Sequence, residues 1–421
     1  MQPTERKTLI SRMGTCVASA WRGTFNSTLI LTCLIIMAAD ATLAAVKPLK
    51  YFNATGFTPL DQNPLVSKLP EFMHSRENPD VLLLGSSLTL VPAVRCDDEL
   101  AGARARYDLG YRRNYINCYS KAEYFRQSLE SALKQPVQVR NLGVIASIFS
   151  DQELILERTL RSGKKPKLVI CCTAPRDFLD NYRSVVEQTP VFQVLADLST
   201  IHDMSARGAS LADITSRAIE QVWHFYLVRA DYRTVALAAT AQLLDHPQDL
   251  FHAGQNKVKV KAENKSHDEE NLEIGIMDHR NKPVYEEPPN TLNDLSIYKN
   301  VYQPVNSKLF DTQSDYLVKM LKLCKQNKIT VLIVNMPLTE ANKKLLPADA
   351  WARYKALLVS ETAKYDAAYL DADIPGEFST SDFEDSCHMN SRGGRKFYKI
   401  LVEALSARNR SQSLAANHAS I

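Results

Sequence analysis

Five short segments rich in branched and long apolar residues punctuate this chain: Val81–Leu84, Val137–Leu142, Lys167–Thr173, Ile329–Asn335 and Ala367–Asp371. Between and after them run longer stretches whose apolar residues recur every three or four positions: Tyr119–Lys134, Ser150–Ser162, Ser314–Gln326, Ala348–Lys364 and Ser391–Ala407. The short segments are mostly continuous rather than alternating, which is the pattern of strands covered on both faces. Strand and helix patterns take turns, which predicts a parallel sheet. The expected class is therefore α/β, a three-layer α/β/α sandwich with a mainly parallel sheet.

Residues 182–313 break this rhythm. Their first part, to Leu244, is helical in pattern, and its apolar stretch Val222–Leu244 is interrupted by Arg229, Asp231 and Arg233, which argues against a second membrane crossing. Residues 246–306 are polar and charge-rich, the pattern of a long loop. A mostly helical insertion thus divides the α/β unit into residues 47–181 and 314–407, with a flexible tail expected over 408–421. Residues 47–79 form a connector dotted with Pro and Asn.

The N-terminus changes the picture more than the composition does. Thr28 to Val46 is almost wholly apolar and about long enough for one bilayer crossing, and Arg6, Lys7, Arg12 and Arg22 precede it against the single acid Glu5. Positive charge ahead of an apolar segment favours a cytoplasmic N-terminus, so a single-pass anchor over residues 1–46 would place the rest of the chain outside the cell membrane. A cleaved signal peptide is the alternative, and it too exports the domain. Asp40 within the segment is costly in a bilayer unless it lies near the interface. Of the eight cysteines, Cys96 with Cys118 is the expected disulfide to test first, and the adjacent Cys171 and Cys172 read as buried thiols. A net charge of +4 over 421 residues gives no case for nucleic acid. Zinc-type Cys/His arrays, phosphate loops and dinucleotide fingerprints are missing from the sequence, so no metal or cofactor is expected.

In open parallel sheets, ligands bind beyond the carboxyl ends of the strands, so the residues after each strand carry the chemistry. These are Gly85-Ser86-Ser87-Leu88, Asn141-Leu142-Gly143-Val144, Thr173-Ala174-Pro175-Arg176-Asp177, Asn335-Met336-Pro337, and Asp385-Ser386-Cys387-His388 ahead of the last helix. In type and order they resemble the SGNH (GDSL-type) hydrolase superfamily, whose nucleophile follows the first strand in Gly-Asp-Ser-Leu, whose oxyanion glycine follows the second, and whose Asp-x-x-His lies near the C-terminus. The resemblance implies Ser87 as nucleophile, His388 as general base and Asp385 as the group orienting the imidazole. It implies the backbone N–H groups of Ser87 and Gly143 as oxyanion donors. Two positions depart from the pattern: Ser86 stands for the usual Asp, and Arg176 for the usual oxyanion Asn. Arg176 is thus a candidate for an oxyanion or an anionic substrate, or for an ion pair with Asp177. Asn141 or Asn335 is a candidate for the missing donor, and Asn390 for capping the last helix.

The single membrane segment and Asn335-Met336-Pro337-Leu338 look like the membrane-anchored branch of that superfamily, which includes the D-alanyl transfer protein of teichoic acid and alginate-acetylation proteins. The resemblance implies an extracytoplasmic O-acyl esterase or acyltransferase acting on a polysaccharide, beside a multi-spanning membrane acyltransferase as partner. The alternatives are a lipolytic carboxylester hydrolase with the insertion as a lid, and a catalytically inactive scaffold of the same fold in a glycan-acylation complex.

Overall fold

The computed structural model describes residues 28–46, 68–102, 118–206, 209–229 and 294–418, with isolated positions 48, 116, 232, 233, 236 and 292. Its elements in chain order are α1 (Thr28–Val46), α2 (Lys68–His74), β1 (Val81–Gly85), α3 (Ser87–Leu100), α4 (Glu123–Leu133), β2 (Val139–Asn141), α5 (Phe149–Arg161), β3 (Leu168–Thr173), α6 (Arg176–Leu179) and α7 (Pro190–Leu195). There follow α8 (Leu198–Ala206), α9 (Leu211–Val222), α10 (His224–Leu227), α11 (Leu295–Tyr302), α12 (Ser307–Gln326), β4 (Thr330–Asn335), α13 (Glu340–Lys343), α14 (Ala348–Lys364), β5 (Ala368–Asp371) and α15 (Ser391–His418). Two compact units result, residues 62–196 with 265–421 and residues 1–61 with 197–264. The first is an α/β sandwich, as the apolar pattern predicts; α7 and α11, from within the stretch that interrupts that pattern, belong to it.

The sheet of this unit has five strands in the order β2-β1-β3-β4-β5, with every neighbouring pair parallel. The central strands read VLLLG, LVICCT and TVLIVN and are buried almost end to end, because helices cover both faces. On one side α15 packs against α3 and α4; on the other α5 packs against α12, which meets α14. Burying a Leu, Ile or Val side chain is worth about 1.5–3 kcal/mol, so these strands supply much of the driving force. Leu83, Ile170, Cys172, Leu332 and Val334 from three strands join Phe125, Phe397 and Leu401 from the helices in one apolar core.

Two differences from the sequence reading concern this unit. Residues 408–418, expected as a flexible tail, continue α15 to His418. Cys96 and Cys118 are not joined in the expected disulfide: Cys96 is buried beneath α15, with its Sγ donating to Ser391 O at 3.5 Å, and Cys118 is exposed.

The second unit is helical. Residues 31–39 of α1 are all exposed, whereas Asp40, Leu43 and Ala44 are half-buried where α10 packs against the helix. Asp40 resolves its own cost locally: its carboxylate accepts the backbone N–H of His224 at 2.9 Å and of Phe225 at 2.6 Å, capping α10. Among the described residues, no helix is long and apolar enough to cross a membrane.

Candidate active site

The strand order reverses between β2-β1 and β3, so the crevice at the carboxyl end of β1 is the place where an open sheet of this topology binds a ligand. Ser87 emerges there. β1 ends at Gly85 and α3 begins two residues later, which leaves almost no chain for the turn. Gly85 makes the turn at φ +151°; a Cβ there would sit 1.9 Å from Thr89 Oγ1 and 2.7 Å from the Cys172 carbonyl oxygen. Ser86 is the N-cap and Ser87 the first residue of α3, so the Ser87 N–H has no acceptor within the helix and points from its positive end.

The second half of the site comes from the loop before α15. Asp385 Oδ1 accepts the backbone N–H of Cys387 at 2.9 Å and of His388 at 2.7 Å, which folds the loop around the carboxylate. Asp385 Oδ2 lies 2.6 Å from His388 Nδ1, and His388 Nε2 lies 2.8 Å from Ser87 Oγ. A carboxylate only accepts, so Nδ1 carries the proton and Nε2 of the neutral ring is left to accept from the serine hydroxyl. Burial alone would raise the Asp385 carboxyl, but the imidazole beside it and the two backbone N–H groups hold it well below the usual carboxylate range. Burial would likewise lower His388, and the Asp385 carboxylate overrides it, raising the imidazole well above its ordinary value.

What holds the two halves in register lies outside the triad. Arg95, two turns along α3 from Ser87, donates to Glu384, the residue before Asp385, at 2.8 Å through Nε and 3.4 Å through Nη2; both side chains are essentially fully buried. Gly393 and Gly394 allow α15 to start against the loop and α3: a Cβ on the first would lie 2.1 Å from the Asp382 carbonyl oxygen, and on the second 2.6 Å from Cys96 Sγ. Asn390 closes the first turn of α15, accepting from Gly393 N through Oδ1 at 3.1 Å. Ser386 is tied from three sides, donating to Asp294 Oδ2 at 2.8 Å and accepting from Asn342 Nδ2 at 2.9 Å and, at its carbonyl, from Thr339 Oγ1 at 2.6 Å. Cys387 Sγ lies 2.8 Å from the Tyr298 hydroxyl, and burial pushes its thiol up to about 11, which keeps it protonated and not nucleophilic.

The other expected residues are engaged as follows. The Gly143 N–H donates to Asn141 Oδ1 at 2.9 Å, and the Gly143 carbonyl accepts from Lys68 Nζ at 2.5 Å. Lys68 also donates to the Tyr119 carbonyl at 2.7 Å, and burial lowers its ammonium to about 7. Asn141 Nδ2 is buried with no hydrogen-bond partner among the described residues. Arg176 pairs with Asp180 at 2.5 Å and, more loosely, with Asp177 at 3.8 Å, and it also donates to the carbonyls of Ala146 and Ser147. Its guanidinium thus braces the loop after β2. Asp177 is buried behind it, accepting from Thr173 Oγ1 at 3.0 Å and from Ala174 N at 3.2 Å, and burial raises its carboxyl to about 6. Asn335 donates to Asp371 Oδ1 at 2.7 Å and accepts from the Tyr354 hydroxyl at 3.1 Å, joining β4 to β5 and α14.

Three residues are thus brought together, Ser87, His388 and Asp385, with Asn141 at the end of the neighbouring strand β2 and Gly143 on the loop after it; Arg176, Asp177 and Asn335 serve the framework. Lys68, Arg95 and Glu384 had no signal in the sequence, since their partners lie far along the chain. Among the described residues, Asp385, Cys387 and His388 also place one possible metal-ligand atom each within 4.8 Å of one another, but these atoms are already engaged with each other, with Ser87 and with Tyr298.

The fold and these contacts define a parallel α/β protein with a Ser–His–Asp hydrogen-bonded chain at the carboxyl edge of its sheet. Residues 118–405 match the family model described as "Protein of unknown function (DUF1574)", and the chain belongs to that family. The match contains Asp385 and His388 and begins after Ser87. No curated protein matches the chain.

Proposed function

We propose that this protein is a serine O-acyl esterase or acyltransferase of SGNH type, attached to the membrane through α1 and acting outside the cytoplasm on an envelope or secreted polysaccharide. The observation that carries the reading is the uninterrupted chain Ser87 Oγ–His388 Nε2, His388 Nδ1–Asp385 Oδ2, at 2.8 and 2.6 Å. In this reading His388 Nε2 takes the hydroxyl proton as Ser87 Oγ attacks the carbonyl carbon of an ester. Collapse of the tetrahedral intermediate expels the alcohol, which leaves with that proton, and an acyl-serine remains. Water or a sugar hydroxyl then repeats the sequence in reverse, giving hydrolysis or transfer from the same intermediate. The oxyanion is met by the Ser87 N–H at the start of α3, and Asn141 Nδ2, buried and without a hydrogen-bond partner among the described residues, is the candidate for a second donor.

Attachment through α1 is supported by the exposed apolar residues 31–39 and by the four basic residues that precede the segment in sequence. The polysaccharide substrate, and a multi-spanning membrane acyltransferase as partner, come from the resemblance to the membrane-anchored SGNH branch. A serine-reactive fluorophosphonate tests the chemistry: the wild type is labelled, and Ser87→Ala and His388→Ala each lose the label. A second reading, a scaffold of the same fold, draws on the engagement of Gly143 N–H by Asn141 and of Arg176 by Asp180. It requires that the wild type take no label and that Ser87→Ala keep full cellular function.

A further inference from the structure

We infer that α9 and α10 form a second membrane contact, lying along the bilayer interface and pinned to α1 by Asp40. This rests on the attachment through α1 proposed above and extends it to residues about 170 positions further along the chain, all within the helical unit.

The observations concern what covers these surfaces. Residues 31–39 are nine consecutive exposed positions, about two and a half helical turns, so their side chains point in every direction around α1. Leu31, Leu34, Ile35, Ile36 and Met37 are among them. A helix that docks on a protein is apolar along one stripe, whereas one apolar all round sits in a medium apolar all round. Lipid acyl chains fit this surface, and a protein groove does not.

Asp40 fixes the level at which that medium ends. A carboxylate is expensive inside hydrocarbon and cheap at its boundary, and this one receives the two free N–H groups that open α10. α10 therefore meets α1 at the boundary. The residues around it are those that favour this zone: Trp223 stacks on Tyr226 with centroids 6.0 Å apart, Phe225 packs on Tyr232 at 5.5 Å, and the Arg229 guanidinium lies 3.6 Å over Tyr226. α9 runs directly into this cluster. Leu211, Ile214, Ala218 and Val222 recur at helical spacing on one face, and Leu211 and Val222 are 79% and 76% exposed. The opposite face carries Asp213, Arg217 and Glu220, with Arg217 bonded to Glu220. From Leu211 to Arg229 the two arginines balance the two acids, so the contact is apolar and needs no anionic lipid.

The test uses the full chain in phosphatidylcholine vesicles. Of three tryptophans, Trp21 and Trp351 are changed to Phe, which leaves Trp223 as the sole emitter. Cys33, exposed on α1, takes an environment-sensitive label once Cys16 and Cys118 are Ser, and it reports on α1 separately. We expect lipids brominated near the headgroup end of the acyl chain to quench Trp223 at least about twofold more than lipids brominated near its middle. In Leu211→Glu/Val222→Glu, which alters two exposed positions only, that quenching falls at least about fivefold while the Cys33 signal stays in lipid. A Cys33 label in lipid with Trp223 unquenched overturns this inference alone and leaves the face to a protein partner. Both probes in water overturn the attachment through α1 as well. Unchanged quenching in the double variant also overturns the inference, because the apolar face of α9 would then not be the contact.

Discussion

Removing Arg95 isolates the role of a contact made far from the reacting atoms. Arg95→Met keeps an unbranched apolar stem and deletes the guanidinium that donates to Glu384 at 2.8 and 3.4 Å. With charge centres about 4 Å apart, and an effective dielectric near 20, the lost attraction is about 4 kcal/mol. Deleting one member of a buried pair typically costs about 3–5 kcal/mol, because the other charge stays in a dry site without its main counter-ion. Against a total stability of about 5–15 kcal/mol, this is a large fraction. Replacing both members, as Arg95→Met/Glu384→Met, removes the orphaned charge and is expected to restore most of the loss. Urea unfolding of the wild type, both single variants and the double variant closes the thermodynamic cycle. Fluorophosphonate labelling on the same four proteins then separates stability from placement. If the pair sets α3 against the His388 loop, the double variant unfolds near the wild-type midpoint but labels at least about tenfold more slowly, since a displacement near 1 Å can cost a hundredfold. An Arg95→Met cost below about 1 kcal/mol, or wild-type labelling by the double variant, would refute the reasoning.

Four further outcomes are expected. In the proposed reading His388 acts as base only when neutral, and its value is raised, so the acid limb of the labelling rate is expected above pH 6.5, with the rate climbing as pH increases through that window; a limb at or below 6.5 contradicts the Asp385 contact. The same pairing stabilises the fold fully below pH 6.5 and loses that contribution as pH rises through the folded value, so the stability gap between wild type and His388→Ala narrows on the alkaline side, which thermal melts at several pH values can follow. Gly393→Ala places a methyl 2.1 Å from the Asp382 carbonyl oxygen and is expected to cost about 1–3 kcal/mol or more in urea unfolding, with labelling reduced in step because His388 precedes the same turn. An aromatic disulfide reagent should titrate Cys118 quickly in the folded protein and Cys96, Cys171, Cys172, Cys324 and Cys387 only on unfolding; burial raises Cys172 and Cys324 to about 12, and rapid reaction of any of the five would contradict their packing.

The central strands were legible because burial on both faces leaves no room for polar alternation, and β1, β3 and β4 begin and end within a residue of the apolar runs that announce them. The edge strand β2 pairs, among the described residues, only with β1 and shrinks to three residues, shorter than its apolar segment. α3 left a weaker trace. Its sequence SLTLVPAVRCDDEL carries Pro92 in mid-helix, which removes one N–H and usually reads as a break, yet the helix continues because twelve of its fourteen residues are buried against neighbours. α2 was hidden in a connector-like stretch, and with it Lys68, whose partners Tyr119 and Gly143 lie 51 and 75 positions away. The triad residues stood out as a set, from their order after successive strands and from a family likeness. The residues that brace them did not, since Arg95 and Glu384 are 289 positions apart and nothing in either neighbourhood announces the other.

Ser87 and His388 stand 301 positions apart, on opposite sides of the second segment of the helical unit, residues 197–264, in the sequence. At a synthesis rate of about 5–20 residues per second, the hydroxyl leaves the ribosome roughly 15–60 s before the imidazole that would deprotonate it. Throughout that interval the alcohol is an ordinary, unreactive one. In the proposed reading, activation waits for a segment made 301 residues later, so a product truncated between the two retains the serine without the means to use it.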